Sequence, residues 1–457
     1  MEIKLNLKND FGGSRLLFYN ESRSSNRLGD FFDEFKNINK NSILDFLFFG
    51  TILTPRSPLV GISQLFPGEE IKNGQSNSEY RELNCKTVDK NTEEFVNDLD
   101  KHLNNYFSRV NLNSAILLSG GIDSAILASY LSKDSACITW GGWGENTSDV
   151  KYSKITREKL GIKNHFFVYA DYEKDFELYK KTIIELKIPI LFNNAAPYIR
   201  MAEFANSVGI KNWFMGQNAD TLFMSYPAPV LANKLIRINK FLPFNPFFFL
   251  KSRKKYLFST TNLIRLFAYF KSLGVFPGKW INIPEGYFEE KELILKNCLP
   301  PGTDLDQKII LTEEILTEAR RNQIYQNEIP VLYDVKVGCP FFERKIVELA
   351  LSIPRGLRRM GGYNKVVLRE LAKKRGIPEL IINKKKSGLS YGYNDFMEKK
   401  MHVPIWNKME KDDLLNSFIN IKEIRKERED SFLTFNILSS LYYWIEFVAR
   451  PNNLILK

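Results

Sequence analysis

The string Ser119-Gly120-Gly121-Ile122-Asp123-Ser124 constrains this chain more than any other feature. It follows Ser114 to Leu118, a short apolar run suited to a fully buried strand, and it opens a helical pattern from Ile122 to Leu131. At a strand-to-helix turn the first helical N–H groups have no partner within the chain. They and the positive end of the helix dipole face outward and attract an anion. Gly120 and Gly121 remove the Cβ atoms that would block a close phosphate, and Ser119 and Ser124 add hydroxyl donors. Asp123 repels a bare phosphate, so its presence makes sense where magnesium bridges it to a pyrophosphate. A glycine turn capped by Asp or Ser could carry similar letters. The full string after a buried strand is what points to a nucleotide phosphate. No Walker-type phosphate loop occurs.

Around this string the chain divides into three stretches. Residues 1–88 hold short β-like runs, such as Ile3 to Leu7 and Leu16 to Tyr19, with turn residues between them. A polar segment from Lys72 to Glu94 reads as a linker, and a helical pattern runs from Thr92 to Val110. From about 110 to 225, strands and helices alternate: Ala136 to Trp140, Ser148 to Leu160, His165 to Tyr169, Tyr198 to Val208, Asn212 to Met215. That alternation predicts a parallel sheet covered on both faces. Residues 226–457 are mostly helical, with helices at Ile346 to Pro354, Asn364 to Arg375 and Phe432 to Val448.

Composition narrows the partners. The 457 residues are 44% hydrophobic and 26% charged, which suits a soluble globular chain with a large core. The net charge of +12 favours an anionic partner without choosing one. Four scattered cysteines and three histidines form no zinc-type spacing, so any metal is expected to be a hard cation on carboxylates and phosphates. The apolar run Phe241 to Leu250 is about half of what a bilayer requires. The start, MEIKLNLKND, has no secretory pattern, which makes a cytoplasmic location the expectation.

The glycine string resembles the pyrophosphate loop of the ATP pyrophosphatase superfamily, and further segments resemble the synthetase domain of the asparagine synthetase family. Gly216-Gln217-Asn218-Ala219-Asp220-Thr221-Leu222-Phe223 resembles a second strand-end motif of that family. Pro340-Phe341-Phe342-Glu343, Asn364-Lys365-Val366-Val367-Leu368-Arg369 and Lys384-Lys385-Lys386-Ser387-Gly388-Leu389 resemble three more, in family order. The resemblance implies a parallel-sheet α/β domain of the pyrophosphate-loop type (adenine nucleotide alpha hydrolase-like), with a helical C-terminal part and a small β-rich N-terminal region. It implies ATP bound at Ser119, Gly120, Gly121, Asp123, Ser124 and Gly216, with Mg²⁺ on Asp123 and Asp220. It also implies a carboxylate adenylated with release of pyrophosphate, then converted to an amide. Lys386 is its candidate for stabilising transition-state charge, Lys365 for phosphate, and Glu343 for orienting or deprotonating the amine. Gln217 and Thr221 depart from the family, where ionisable residues stand, and this keeps a non-catalytic ATP-binding homologue open.

The expected division is residues 1–90 and 91–457, with a helical insert at about 226–335. Leu44 to Tyr80 resembles the tail of the family's glutaminase domain, yet residue 2 is Glu2 rather than the nucleophilic cysteine. The N-terminal region is therefore read as a shortened, inactive relic docked on the ATP domain. The amine would then be free ammonia, ammonia from a separate protein, or an amine on a larger substrate, as in β-lactam synthetases and lasso-peptide cyclases. A substrate-delivering partner stays open, and so does a tRNA-modifying relative, although no nucleic acid is expected. In the insert, Phe241, Phe244, Phe247, Phe248 and Phe249 precede Lys251, Arg253, Lys254 and Lys255, a pattern that fits a helical lid and leaves membrane-surface contact open.

Overall fold

The computed structural model describes residues 5–110, 114–224, 280–281, 283–360, 363–384, 391 and 393–456. The Phe- and Lys-rich stretch of the insert and Lys386 therefore lie outside the described residues. Five parallel strands form the central sheet: β1 (Ser114–Leu117), β2 (Ala136–Gly142), β3 (Asn164–Tyr169), β4 (Asn212–Phe214) and β5 (Lys336–Gly338). Their spatial order is β5-β4-β1-β2-β3. Every residue of β1 and β2 is buried, as expected of strands covered on both faces.

That order sets the position of the site. The chain runs outward from β1 through β2 to β3, then returns to place β4 on the other side of β1. The reversal opens a crevice beyond the carboxyl ends of β1 and β4, where open parallel sheets bind ligands. Ile116 pairs with Phe214, so the loops after these two strands emerge side by side.

The helices follow local signals. Ser148–Leu160 starts at Thr147, whose side chain accepts from the Val150 N–H, and stops at Gly161, with φ of 68°. Thr92–Phe107 begins with a reciprocal capping box between Asn91 and Glu94. Phe192–Ser207 begins six residues before the expected Tyr198 and carries Pro197 within it. Phe432–Trp444 continues as helix through Ala449. Among the described residues it is the one stretch long and apolar enough to cross a membrane, and 72% of that window is buried within the fold.

The N-terminal segment holds two small antiparallel sheets and the helix Lys40–Phe49. Its Phe31, Phe46, Leu47 and Phe48 belong to the same hydrophobic core as β1, β2 and the C-terminal helix. A buried charge cluster adds to the join. Asp45 accepts from Arg56 Nη1 at 2.9 Å and from Tyr287 Oη at 2.6 Å, and Lys291 Nζ lies 3.4 Å away. Removing one partner from such a cluster costs about 3–5 kcal/mol, because the others stay buried and charged. Farther along, the Ile38 N–H donates to the Ile455 carbonyl and the Ile455 N–H to the Lys36 carbonyl, each at 2.8 Å.

His165 on β3 ties its strand to β2. Thr139 donates its hydroxyl to the Leu118 carbonyl at 2.7 Å and lies 2.8 Å from His165 Nε2. A hydroxyl has one hydrogen, so Nε2–H is the donor in the second contact. Burial, with Arg157 and Lys154 nearby, lowers the His165 pKa from 6.5 to about 4. The unfolded chain therefore binds this proton first as pH falls, and stability declines between about pH 6.5 and pH 4. His165→Gln is expected to flatten that decline by roughly 1–2 kcal/mol, discounted for partial exposure. Urea midpoints of both proteins across this range check it.

Candidate active site

The loop after β1 is held shut by its own serines. Ser124, 4% exposed, directs its hydroxyl at the Ser119 carbonyl (2.9 Å) and the Gly121 carbonyl (3.1 Å), with Ser119 Oγ 3.0 Å away. Ser124 thus shapes the loop from inside. Asp123 points from the first turn of the short helix Ile122–Ala128 into the crevice.

The loop after β4 comes against it at Gly216. A Cβ there would lie 2.8 Å from Asp123 Cβ, closer than real side chains come, and 3.1 Å from the Asp123 backbone carbon. Glycine thus permits the approach that brings Asp220 beside Asp123. Asn218, in the left-handed region at φ of 73°, caps the turn Ala219–Leu222 and donates Nδ2 to the Phe341 carbonyl at 3.0 Å. The Pro340–Phe342 segment therefore braces the second loop.

Lys365 joins the two carboxylates. Its Nζ lies 2.6 Å from both Asp123 oxygens and 2.8 Å from Asp220 Oδ1. Its backbone is left-handed, φ of 55°, immediately before the helix Val366–Lys374. Burial pulls the Lys365 ammonium below its usual pKa, and Asp123 opposes that shift. One cation thus already bridges two hard oxygen donors from two strand ends, the donor set that a magnesium ion uses alongside phosphate and water. The described residues contain no group of three or more potential metal ligands, so phosphate and water would have to complete the shell.

A cavity of about 170 Å³ opens beside the aspartates. Leu118, Ile138, Trp140, Met201 and Met215 make its apolar walls, and Ser119, Asp149, Tyr198, Gln217 and Asp220 its polar ones. Lys384 approaches from another side. Its Nζ is 3.2 Å from Asp149 Oδ1 and lies over the Tyr152 ring, 4.7 Å from the centroid.

Of the residues expected from sequence, Ser119, Asp123, Ser124, Gly216 and Asp220 line this cavity, Gly120 and Gly121 form its loop, and Lys365 bridges the aspartates. Glu343 does not line it. It stands at the start of the helix Arg344–Ser352, its pKa raised by burial and opposed by Arg109 and Lys345. Asp149, Trp140, Tyr198 and Lys384 were not anticipated. Asp149 stands in the first turn of the helix after β2, on the carboxyl-end side of the sheet where ligands bind. Lys384 sits in the lysine run that drew attention to Lys386.

Fold and site together define an α/β protein whose glycine loop and paired aspartates meet at the carboxyl ends of a five-stranded parallel sheet. Residues 108–414 match the family described as asparagine synthase, more than half of the chain, and the protein belongs to that family. Over 113 residues it is 29% identical to "Putative asparagine synthetase 1 (glutamine-hydrolyzing)" of Methanocaldococcus jannaschii. That alignment covers 24% of this chain and 21% of that protein, so the chain spans about a fifth of the curated relative's length.

Gly216→Ala is expected to cost about 1–3 kcal/mol of stability through overpacking. It should also separate Asp123 from Asp220 and weaken binding of ATP, which the family uses. Denaturation midpoints and calorimetric titration with ATP read the two effects.

Proposed function

We propose that this protein is an ATP-dependent amide-forming synthetase that activates a carboxylate as an acyl-adenylate. The observation that carries the reading is the meeting of Asp123 and Asp220, from the ends of adjacent parallel strands, on one cation beside a glycine loop. The apolar slot formed by Leu118, Ile138, Trp140 and Met215 suits a flat purine. Gly120 and Gly121 leave room for the outer phosphates.

In the first step a carboxylate oxygen attacks the α-phosphorus, the bond to the bridging oxygen breaks, and pyrophosphate departs. In the second, an amine attacks the acyl carbon and loses a proton, and AMP leaves. Asp123 and Asp220 would hold a magnesium ion, which when bound supplies charge neutralisation for the departing pyrophosphate. Lys365 orients both carboxylates. Lys384 adds positive charge beside the loop, and the apolar walls exclude water from a hydrolysis-prone mixed anhydride. Lys386 belongs to this reading as a further cation for the transition state.

The amine source is ammonia, delivered free or by a separate protein, or an amine on the substrate. The segment up to residue 90 contains a single cysteine, Cys85. Burial, reinforced by Glu348, pushes its thiol up to about 11, which disfavours a nucleophilic thiolate. Membership of the asparagine synthase family argues against the tRNA-modifying reading.

Pyrophosphate release from MgATP, measured over a panel of carboxylates with ammonia or amines, tests the proposal. Asp123→Asn and Asp220→Asn are each expected to slow release by about 100-fold or more, as losses of transition-state charge stabilisation do. Folded variants that turn over undiminished would refute it.

A further inference from the structure

The glycine loop already holds a carboxylate. Asp149, in the first turn of the helix Ser148–Leu160, accepts from the Gly120 N–H at 3.4 Å. The same oxygen, Oδ1, lies 3.2 Å from Lys384 Nζ. The Lys384 side chain is 7% exposed and that of Asp149 15%. A Cβ placed on Gly120 would lie 2.7 Å from Lys384 Nζ, so the ammonium rests directly against the loop backbone. The Tyr152 ring lies beneath it. A backbone N–H and a desolvated ammonium converging on one oxygen are what a phosphate oxygen requires.

We infer that Asp149 is a built-in substitute for phosphate, and that Lys384 is a phosphate-binding residue which Asp149 holds in waiting. The inference rests on the nucleotide reading given above. An ammonium this buried is costly to leave without an anion. In the ligand-free protein Asp149 supplies it. An outer phosphate entering the loop takes over the Gly120 N–H and the Lys384 ammonium, and Asp149 must give up both. Asp149 and Lys384 therefore act in opposite senses on the same ligand. The carboxylate competes with phosphate, and the ammonium recruits it. The specific prediction is that affinity for a phosphate ligand is set partly by a side chain that leaves when the ligand arrives.

The probe is magnesium-free inorganic pyrophosphate, which isolates the anion site from the Asp123–Asp220 pair, titrated calorimetrically beside ATP. Asp149→Asn keeps the shape and removes the competing charge, and is expected to tighten pyrophosphate binding several-fold. Lys384→Met is expected to weaken it about tenfold and to raise KM for ATP more than it lowers kcat. Lys384→Arg should keep most of the affinity, which separates loss of charge from loss of fold. In the double variant Asp149→Asn with Lys384→Met, the gain from Asp149→Asn should shrink, because the ammonium it released is gone. Asp149→Asn weakening pyrophosphate as Lys384→Met does would overturn the inference. So would wild-type binding that neither substitution alters, with the nucleotide reading left intact. A wild-type protein that binds neither pyrophosphate nor ATP would bring down the nucleotide reading, and this inference with it.

Discussion

Two ionised aspartates, 16% and 15% exposed, repel each other when side by side, and the Lys365 ammonium offsets that repulsion from 2.6 and 2.8 Å. Much of the site's geometry answers to this contact. Asp123 is delivered by the turn after β1, Asp220 by the turn after β4, and Lys365 by a left-handed residue far downstream. The three come from separate parts of the chain, so their convergence reports the tertiary fold and no local motif. The magnesium ion proposed for these oxygens would meet carboxylates that are already aimed.

Opposite charges are paired on both sides of the loop. A lysine stands between the acidic residues, and an acidic residue stands between the loop N–H and a second lysine. Repulsion within the crevice is thereby reduced, and the side chains keep one arrangement. The glycines serve the same end. Gly216 lets one loop touch the other at Asp123, and Gly120 lets Tyr152 and Lys384 close on the first.

The parts of this arrangement that depend on neighbours in sequence are legible in the sequence alone. β1, the turn after it and the helix Ser148–Leu160 follow from a buried run, paired glycines and local caps. The pairing of Asp123 with Asp220 was legible through family resemblance. The helix Tyr172–Leu186 and the strand β5 were not read, and β5 shows why. Lys336, Val337 and Gly338 carry no apolar run, and their strand character comes from pairing with β4. The Lys384–Asp149 contact spans 235 positions, and nothing in either neighbourhood names the other. Glu343 looked chemical because of its motif, while the segment before it braces Asn218 through a backbone carbonyl.

The tie between Ile38 and Ile455 has a consequence for biosynthesis. Lys36 also donates Nζ to the Asn452 carbonyl, a contact across 416 positions. At about 5–20 residues per second, a ribosome needs roughly 20–80 s to make the second half of that contact after the first. Until then the Phe46–Phe49 surface lacks the C-terminal helix that shares its core. The emerging polypeptide therefore carries this apolar surface uncovered throughout that interval, the condition in which partly made chains aggregate.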